Sequence, residues 1–237
     1  MKKIPTLFER QFENHKITGI SSKPTDGLDW VLDKDKMLRG EIIPTVKYDG
    51  ACCAIIDGSL YVRYDAKKGK KPPEGAIPCC EPDPVTGHHP HWVKAGGNPA
   101  YKWYARARDY FFSDHEITKF EEESKSFKEV YKIKQDYKSV FYPISRPITF
   151  EAVGKHFNGN PYGLDFDTLI EHGNHKIDVS STKNELWHFD GIRKYLEENN
   201  VEGIVFWIKC DLLSDILNEP VCKIKRTDFG LPWNNKK

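Results

Sequence analysis

Lys47-Tyr48-Asp49-Gly50 places a lysine two residues before an acid, with a glycine where a strand would end in a turn. A lysine amine can attack the α-phosphorus of a nucleoside triphosphate, displace pyrophosphate and hold the nucleotide as a phosphoramidate, which divides one difficult transfer into easier ones. The tetrapeptide alone is a weak signal, because Lys, Asp and Gly are common at exposed strand ends. Its order relative to four later segments carries more weight.

Leu60-Tyr61-Val62-Arg63-Tyr64 alternates as a strand does, and Phe150-Glu151-Ala152-Val153-Gly154 brings a further acid toward a strand end. Glu202-Gly203-Ile204-Val205-Phe206 follows, and then Val221-Cys222-Lys223-Ile224-Lys225. Residues two apart on a strand project the same way, so Lys223 and Lys225 share a face and, set in one wall, make an anion site. Taken singly, Glu151 and Glu202 read equally well as solvated acids, and the two lysines as the wet face of a half-buried strand.

In order, these segments resemble the motifs of the covalent nucleotidyltransferase superfamily of ATP-dependent ligases and RNA capping enzymes: K-x-D-G, an arginine strand, F-E-x-x-G, E-G-hydrophobic and K-x-K. Ile4-Pro5-Thr6-Leu7-Phe8, Lys71-Pro72-Pro73-Glu74-Gly75, Asn158-Gly159-Asn160-Pro161 and Lys223 through Gly230 narrow the resemblance. They are similar to the ATP-dependent 5′-to-3′ RNA ligases of the vertebrate RNA ligase type. The likeness implies an α+β fold, a nucleotidyltransferase (ATP-grasp-like) domain with mainly antiparallel sheets flanking a nucleotide cleft. With only a dozen residues after Lys225, no C-terminal OB domain is expected.

The same resemblance implies roles. Lys47 would be the nucleophile, activated by partial burial, by Lys223 and Lys225 and by a divalent cation, Mg2+ or Mn2+; Asp49 would orient it and the metal's hydration shell. Glu202 would face the metal, Glu151 would bond the ribose hydroxyls, and Arg63 would contact the ribose or the phosphate of the accepting strand. Lys223 and Lys225 would neutralise the α-phosphate, and the purine would lie near the Val46 backbone under Phe157, Tyr162 or Phe206. ATP is the expected co-substrate. RNA with 5′-phosphate and 3′-hydroxyl ends is the expected partner, held along its backbone by Lys67, Lys68, Lys70, Lys71 and Arg226. Joining such ends in RNA repair is the expected function; a GTP-dependent guanylyltransferase, a DNA ligase and a non-catalytic nucleic-acid-binding domain are the alternatives.

Composition agrees without suggesting any of this. The chain has 237 residues, enough for a substantial core, and a formal net charge of +1, which does not distinguish partners. No apolar run approaches the ~20 residues that span a bilayer, and no apolar signal core follows Met1-Lys2-Lys3, so a cytoplasmic monomer is expected. Cys52, Cys53, Cys79, Cys80, Cys210 and Cys222 lack zinc-knuckle spacing and read as reduced, mostly buried thiols. His88-His89-Pro90-His91 is expected in a loop, not on a metal.

The elements that must position these residues are read as one domain, 1–237. An N-terminal arm of short helices or turns covers 1–40, and a hairpin over Thr45–Tyr64 turns at Asp57-Gly58 with Lys47 at its start. An irregular excursion fills 65–99. The spacing predicts a helix over Tyr101–Phe112 and a helical insert near 113–140. A strand is predicted at Ile148–Val153, a short helix or turn at Asp167–His172, and a helix at Phe189–Asn199.

Overall fold

The computed structural model describes residues 3–14, 16–84, 86–112, 148–180, 184–209 and 219–233, so the predicted insert near 113–140 lies outside the described residues, as does Cys210. These residues sort into two compact units. The first comprises Asp49–His172 with Met1–Lys3, the second Ile4–Tyr48 and Gly173–Lys237. Each has its own hydrophobic core.

The second unit opens with an antiparallel hairpin, β1 (Phe8–Glu13) and β2 (Lys16–Pro24), where an arm of short helices or turns was expected. A 3₁₀ turn and the short helix α1 (Lys34–Leu38) follow, the latter begun by Asp33, whose carboxylate accepts the Lys36 amide at 3.0 Å. Strand β3 (Ile42–Lys47) lies at one edge of a three-stranded antiparallel sheet, with β10 (Gly203–Ile208) central and β11 (Glu219–Lys225) beyond it. Alternation divides this sheet cleanly. Ile42, Ile204, Phe206, Cys222 and Ile224 are buried in the core, in one cluster with Ile192 and Leu196 of the helix Phe189–Glu198. Its apolar residues recur at helical spacing, as predicted.

The first unit is built on a six-stranded antiparallel sheet in the order β6-β7-β5-β4-β8-β9. Its strands are β4 (Ala51–Ile56), β5 (Ser59–Ala66), β6 (Ile77–Pro78), β7 (His89–Lys94), β8 (Ile148–Gly154) and β9 (Asp167–Glu171). The helix α2 (Lys102–Phe112) lays Ala107 and Phe111 on one face, with the Phe111 and Phe150 rings 5.5 Å apart. We number the helix Phe189–Glu198 of the second unit α3. The chain is thus α+β, with antiparallel sheets and few helices.

Three expectations are corrected here. Asp57 and Gly58, at φ 47° and 70°, do turn a hairpin, but it joins β4 to β5 and excludes Lys47. Lys47 ends β3 in a different sheet, because Tyr48-Asp49-Gly50 interrupts the run that was read as continuous. Asp167–Glu171 is a strand, paired along β8 from Phe150 to Gly154. Within the supposed excursion, His89–Lys94 pairs with β5, so the histidine run enters a strand and His91 is buried with its Nδ1 2.8 Å from the His89 carbonyl. Among the described residues no group of His, Cys, Asp and Glu is arranged to hold a metal ion.

Candidate functional site

In the second unit the register of three strands sets the chemistry. Gly203 stands between Lys47 and Lys225, and Val205 between Thr45 and Lys223, so the three lysines rise from the sheet face opposite the core. A side chain at Gly203 has no room: its Cβ would lie 2.2 Å from the Ile224 carbonyl oxygen. Glu202, one residue earlier and 5% exposed, receives the Lys47 ammonium on Oε2 and the Lys225 ammonium on Oε1, the latter at 2.6 Å. A buried carboxylate held by two ammonium groups satisfies a charge that would otherwise be costly to bury.

Lys223 completes the row with no carboxylate in ion-pair contact among the described residues. Burial, then the charges of Lys47, Lys225 and Arg10, lower its pKa from 10.5 to about 8. Arg10, on β1, donates from Nε and Nη2 to Asp228 Oδ1 at 3.0 and 2.8 Å, while Asp228 Oδ2 accepts the Lys225 amide at 2.9 Å. Asp228 thereby ties the end of β11 to the hairpin. The cationic groups exceed the carboxylates in this cluster, four to two, which suits an anion that brings its own negative charge.

The lysine's immediate neighbour is fixed as well. Lys47 Nζ donates to the Tyr48 carbonyl at 3.3 Å, and the Tyr48 hydroxyl is hydrogen-bonded to His175 Nδ1. Burial drives the Tyr48 pKa well upward, so the phenol stays neutral. The Val46 amide donates to the His175 carbonyl at 2.8 Å, which leaves that N–H already used.

The chain passes into the first unit between Tyr48 and Asp49. Asp49 Oδ1 accepts Asn158 Nδ2 at 2.9 Å, and the Asp49 amide donates to the Tyr162 hydroxyl at 2.6 Å. Glu151 Oε1 accepts the Gly50 amide at 3.2 Å, an approach that needs glycine, since a Cβ there would lie 2.3 Å from the Ala152 carbonyl oxygen. Glu151 Oε2 is 2.8 Å from His172 Nε2, and His172 Nδ1 is 3.0 Å from Thr149 Oγ1. With Nε2–H donating to Glu151 and Thr149 O–H donating to Nδ1, one imidazole tautomer is selected. Cys52 faces Glu151 on the neighbouring strand, and the charges of Glu151 and Arg63 both act on its thiol, which burial pushes up to about 12. Glu151 and Arg63 therefore flank an inert, small residue on one face of this sheet, with Arg63 Nε 3.0 Å from Asp65 Oδ1.

Two groups of expected contacts fare differently. Lys67, Lys68, Lys70 and Lys71 are all exposed, in the turn after β5. Arg226 is not available as expected: its Nη1 donates to the Leu196 and Asn199 carbonyls, the latter at 2.7 Å, and its Nε to Pro232 at 3.1 Å. It closes the C-terminal end of α3, a task for which the planar guanidinium with its fixed fork of donors is well suited. Phe157 and Phe206 are also withdrawn as purine covers, being 5% and 0% exposed within their cores. Arg10, Thr149, Asn158, His172 and His175 were not anticipated from sequence. Asn158 and Asp228 lay within segments already singled out, though neither had been given a role.

No family model matches the chain. RNA ligase 1 of Pongo abelii is 26% identical to it over an alignment of 286 residues, which takes in 98% of this chain and 82% of that protein. The likeness is distant but extends through both units, and it supports a relationship to an RNA ligase.

Proposed function

We propose that the protein is an ATP-dependent RNA ligase that joins a 5′-phosphate to a 3′-hydroxyl through a Lys47–AMP intermediate. The observation that carries this reading is the row of Lys47, Lys225 and Lys223 on one sheet face, with Glu202 bound to the first two. The distant relative named an RNA ligase supports the substrate class.

Lys47 first sheds a proton to solvent, directly or through Glu202, which touches it. Its Nζ attacks the α-phosphorus, the N–P bond forms, the bond to the bridging oxygen breaks, and pyrophosphate leaves. Lys223 and Lys225 offset the charge that shifts onto the α-phosphate oxygens. An oxygen of the RNA 5′-phosphate then attacks the same phosphorus and releases the lysine amine. Finally the 3′-hydroxyl attacks the 5′-phosphorus, loses its proton and expels AMP.

Glu202 would hold Mg2+ or Mn2+, which supplies charge neutralisation at the phosphates when bound. One carboxylate would fit such an ion only with nucleotide oxygens and water completing its coordination, since both Glu202 oxygens also receive ammonium groups. Glu151, held by His172 and the Gly50 amide, would accept from the ribose hydroxyls, and Tyr162 remains the aromatic candidate beside the purine. Exposed Lys67, Lys68, Lys70 and Lys71 would meet the RNA backbone.

The test is a joining assay on nicked, single-stranded and hairpin RNA and DNA with 5′-phosphate and 3′-hydroxyl ends, supplied with ATP or GTP. ATP-dependent sealing of RNA is the expected result. Transfer of GMP to a 5′-diphosphate end, or sealing confined to DNA, contradicts it.

A further inference from the structure

We propose that the first unit carries a separate cleft that takes one nucleotide of a single-stranded RNA, between α2 and the turn joining β8 to β9. The identity of the strand as RNA rests on the ligase reading; the cleft itself does not. Residues three and four apart line one side of a helix, and Trp103, Arg106 and Tyr110 of α2 follow that spacing. They flank the stripe of Ala107 and Phe111 that enters the core.

The Trp103 ring is stacked on His156, with centroids 3.5 Å apart and planes 7° from parallel. His156 is held there by Asp167, which lies 2.7 Å from its Nδ1 and accepts its amide at 3.0 Å. At the other end of the helix face, Tyr110 and Phe166 stack with centroids 4.5 Å apart. Beside these rings is a cleft of about 440 Å³, lined by His156, Tyr110 and Phe166, with Trp103 stacked on His156 but outside the lining. That volume falls within the range of small-ligand sites and admits a nucleotide.

Charge points to the ligand class. Arg106 and Lys155 line the cleft, and neither has a carboxylate partner among the described residues. Of the acids there, Asp167 is taken by His156 and Asp109 by Arg108, the latter at 2.6 Å, which leaves Asp165 to accept from a base amino group. Two cations beside parallel rings are the elements that hold single strands: a phosphate contact and a stacking platform indifferent to base identity. A duplex keeps its bases stacked inside and cannot present one.

The experiment titrates a fluorescent single-stranded RNA oligonucleotide by anisotropy at several salt concentrations, with Lys47 adenylylation measured alongside. Arg106→Ala/Lys155→Ala should weaken binding about tenfold and flatten the log K against log salt slope by about 1.4, since each single-strand phosphate contact contributes ~0.7. Arg106→Lys/Lys155→Arg should restore both. Tyr110→Leu should weaken binding with the slope retained, and a blunt RNA duplex should be insensitive to all of these changes. Unchanged affinity and slope in the double alanine variant, equal loss for the duplex, or no binding by the wild type overturns the cleft. Adenylylation separates the two readings: lysyl-AMP without a changed slope removes the cleft alone, whereas RNA binding through these cations without lysyl-AMP removes the ligase reading alone.

Discussion

The two units hold their candidate acids by opposite means. In the second, Glu202 is bound by two ammonium groups and the row of lysines around it carries a surplus of positive charge. In the first, Glu151 and Asp49 are fixed by groups with no obligatory charge: an imidazole, a backbone amide and a side-chain amide. An ionic cluster of the first kind responds strongly to an incoming anion, because each added negative charge relieves repulsion among the lysines. A carboxylate fixed by directed hydrogen bonds is set chiefly in direction, which suits recognition of a hydroxyl. On the proposed reading, chemistry on phosphorus would depend on the second unit's charges.

The largest expected break is at Lys47. Lys47→Ala should lower adenylyl transfer by about 10³-fold or more, read from single-turnover kinetics, since the proposed reaction passes through a bond to its Nζ. Glu202→Ala should next show in stability: removing the carboxylate leaves Lys47 and Lys225 repelling each other. A loss of about 2 kcal/mol in denaturant unfolding is expected, less than the ~3–5 for a fully buried pair because the Lys225 side chain is 32% exposed. Arg226→Ala should cost about 1–2 kcal/mol through the lost carbonyl contacts at the end of α3, with RNA affinity per folded molecule unchanged. Sharper still is His172→Leu, which should raise the KM for ATP roughly fivefold while kcat changes less, the mark of a lost positioning contact to Glu151.

A further contrast is in pH. Lys223 has a folded pKa of about 8 against 10.5 when unfolded, so between those values the unfolded chain binds more protons and stability rises with pH. Below about pH 8 both forms are protonated and this slope vanishes. Lys223→Met should abolish the rise between pH 8 and 10 in unfolding curves; an identical slope in both proteins assigns it to another group.

Much of the site's backbone was legible because its signals are local. Asp57-Gly58 marks its own turn, α3 shows helical spacing at Phe189, Ile192 and Leu196, and the alternation of Cys222 and Ile224 with Lys223 and Lys225 divides β11 into two faces. Where pairing is distant, sequence was mute. Arg10 meets Asp228 across 218 positions, and His172 reaches Glu151 only because β9 pairs with β8. Asp167–Glu171 has five residues with its two apolar ones, Leu169 and Ile170, adjacent, so it shows neither alternation nor helical spacing and tertiary pairing decided its form. Arg226 misled because a basic residue next to a lysine pair reads as part of the same wall, while its carbonyl partners lie on a helix about thirty residues earlier.

The decisive measurement is incubation of wild type and Lys47→Ala with α-labelled ATP and magnesium, in protein freed of bound AMP, followed by a denaturing gel, acid treatment and peptide mapping. Acid-labile label on the Lys47 peptide of the wild type alone is the predicted result. Label that persists in Lys47→Ala, or wild type that takes up none, contradicts a Lys47-centred nucleotidyl transfer.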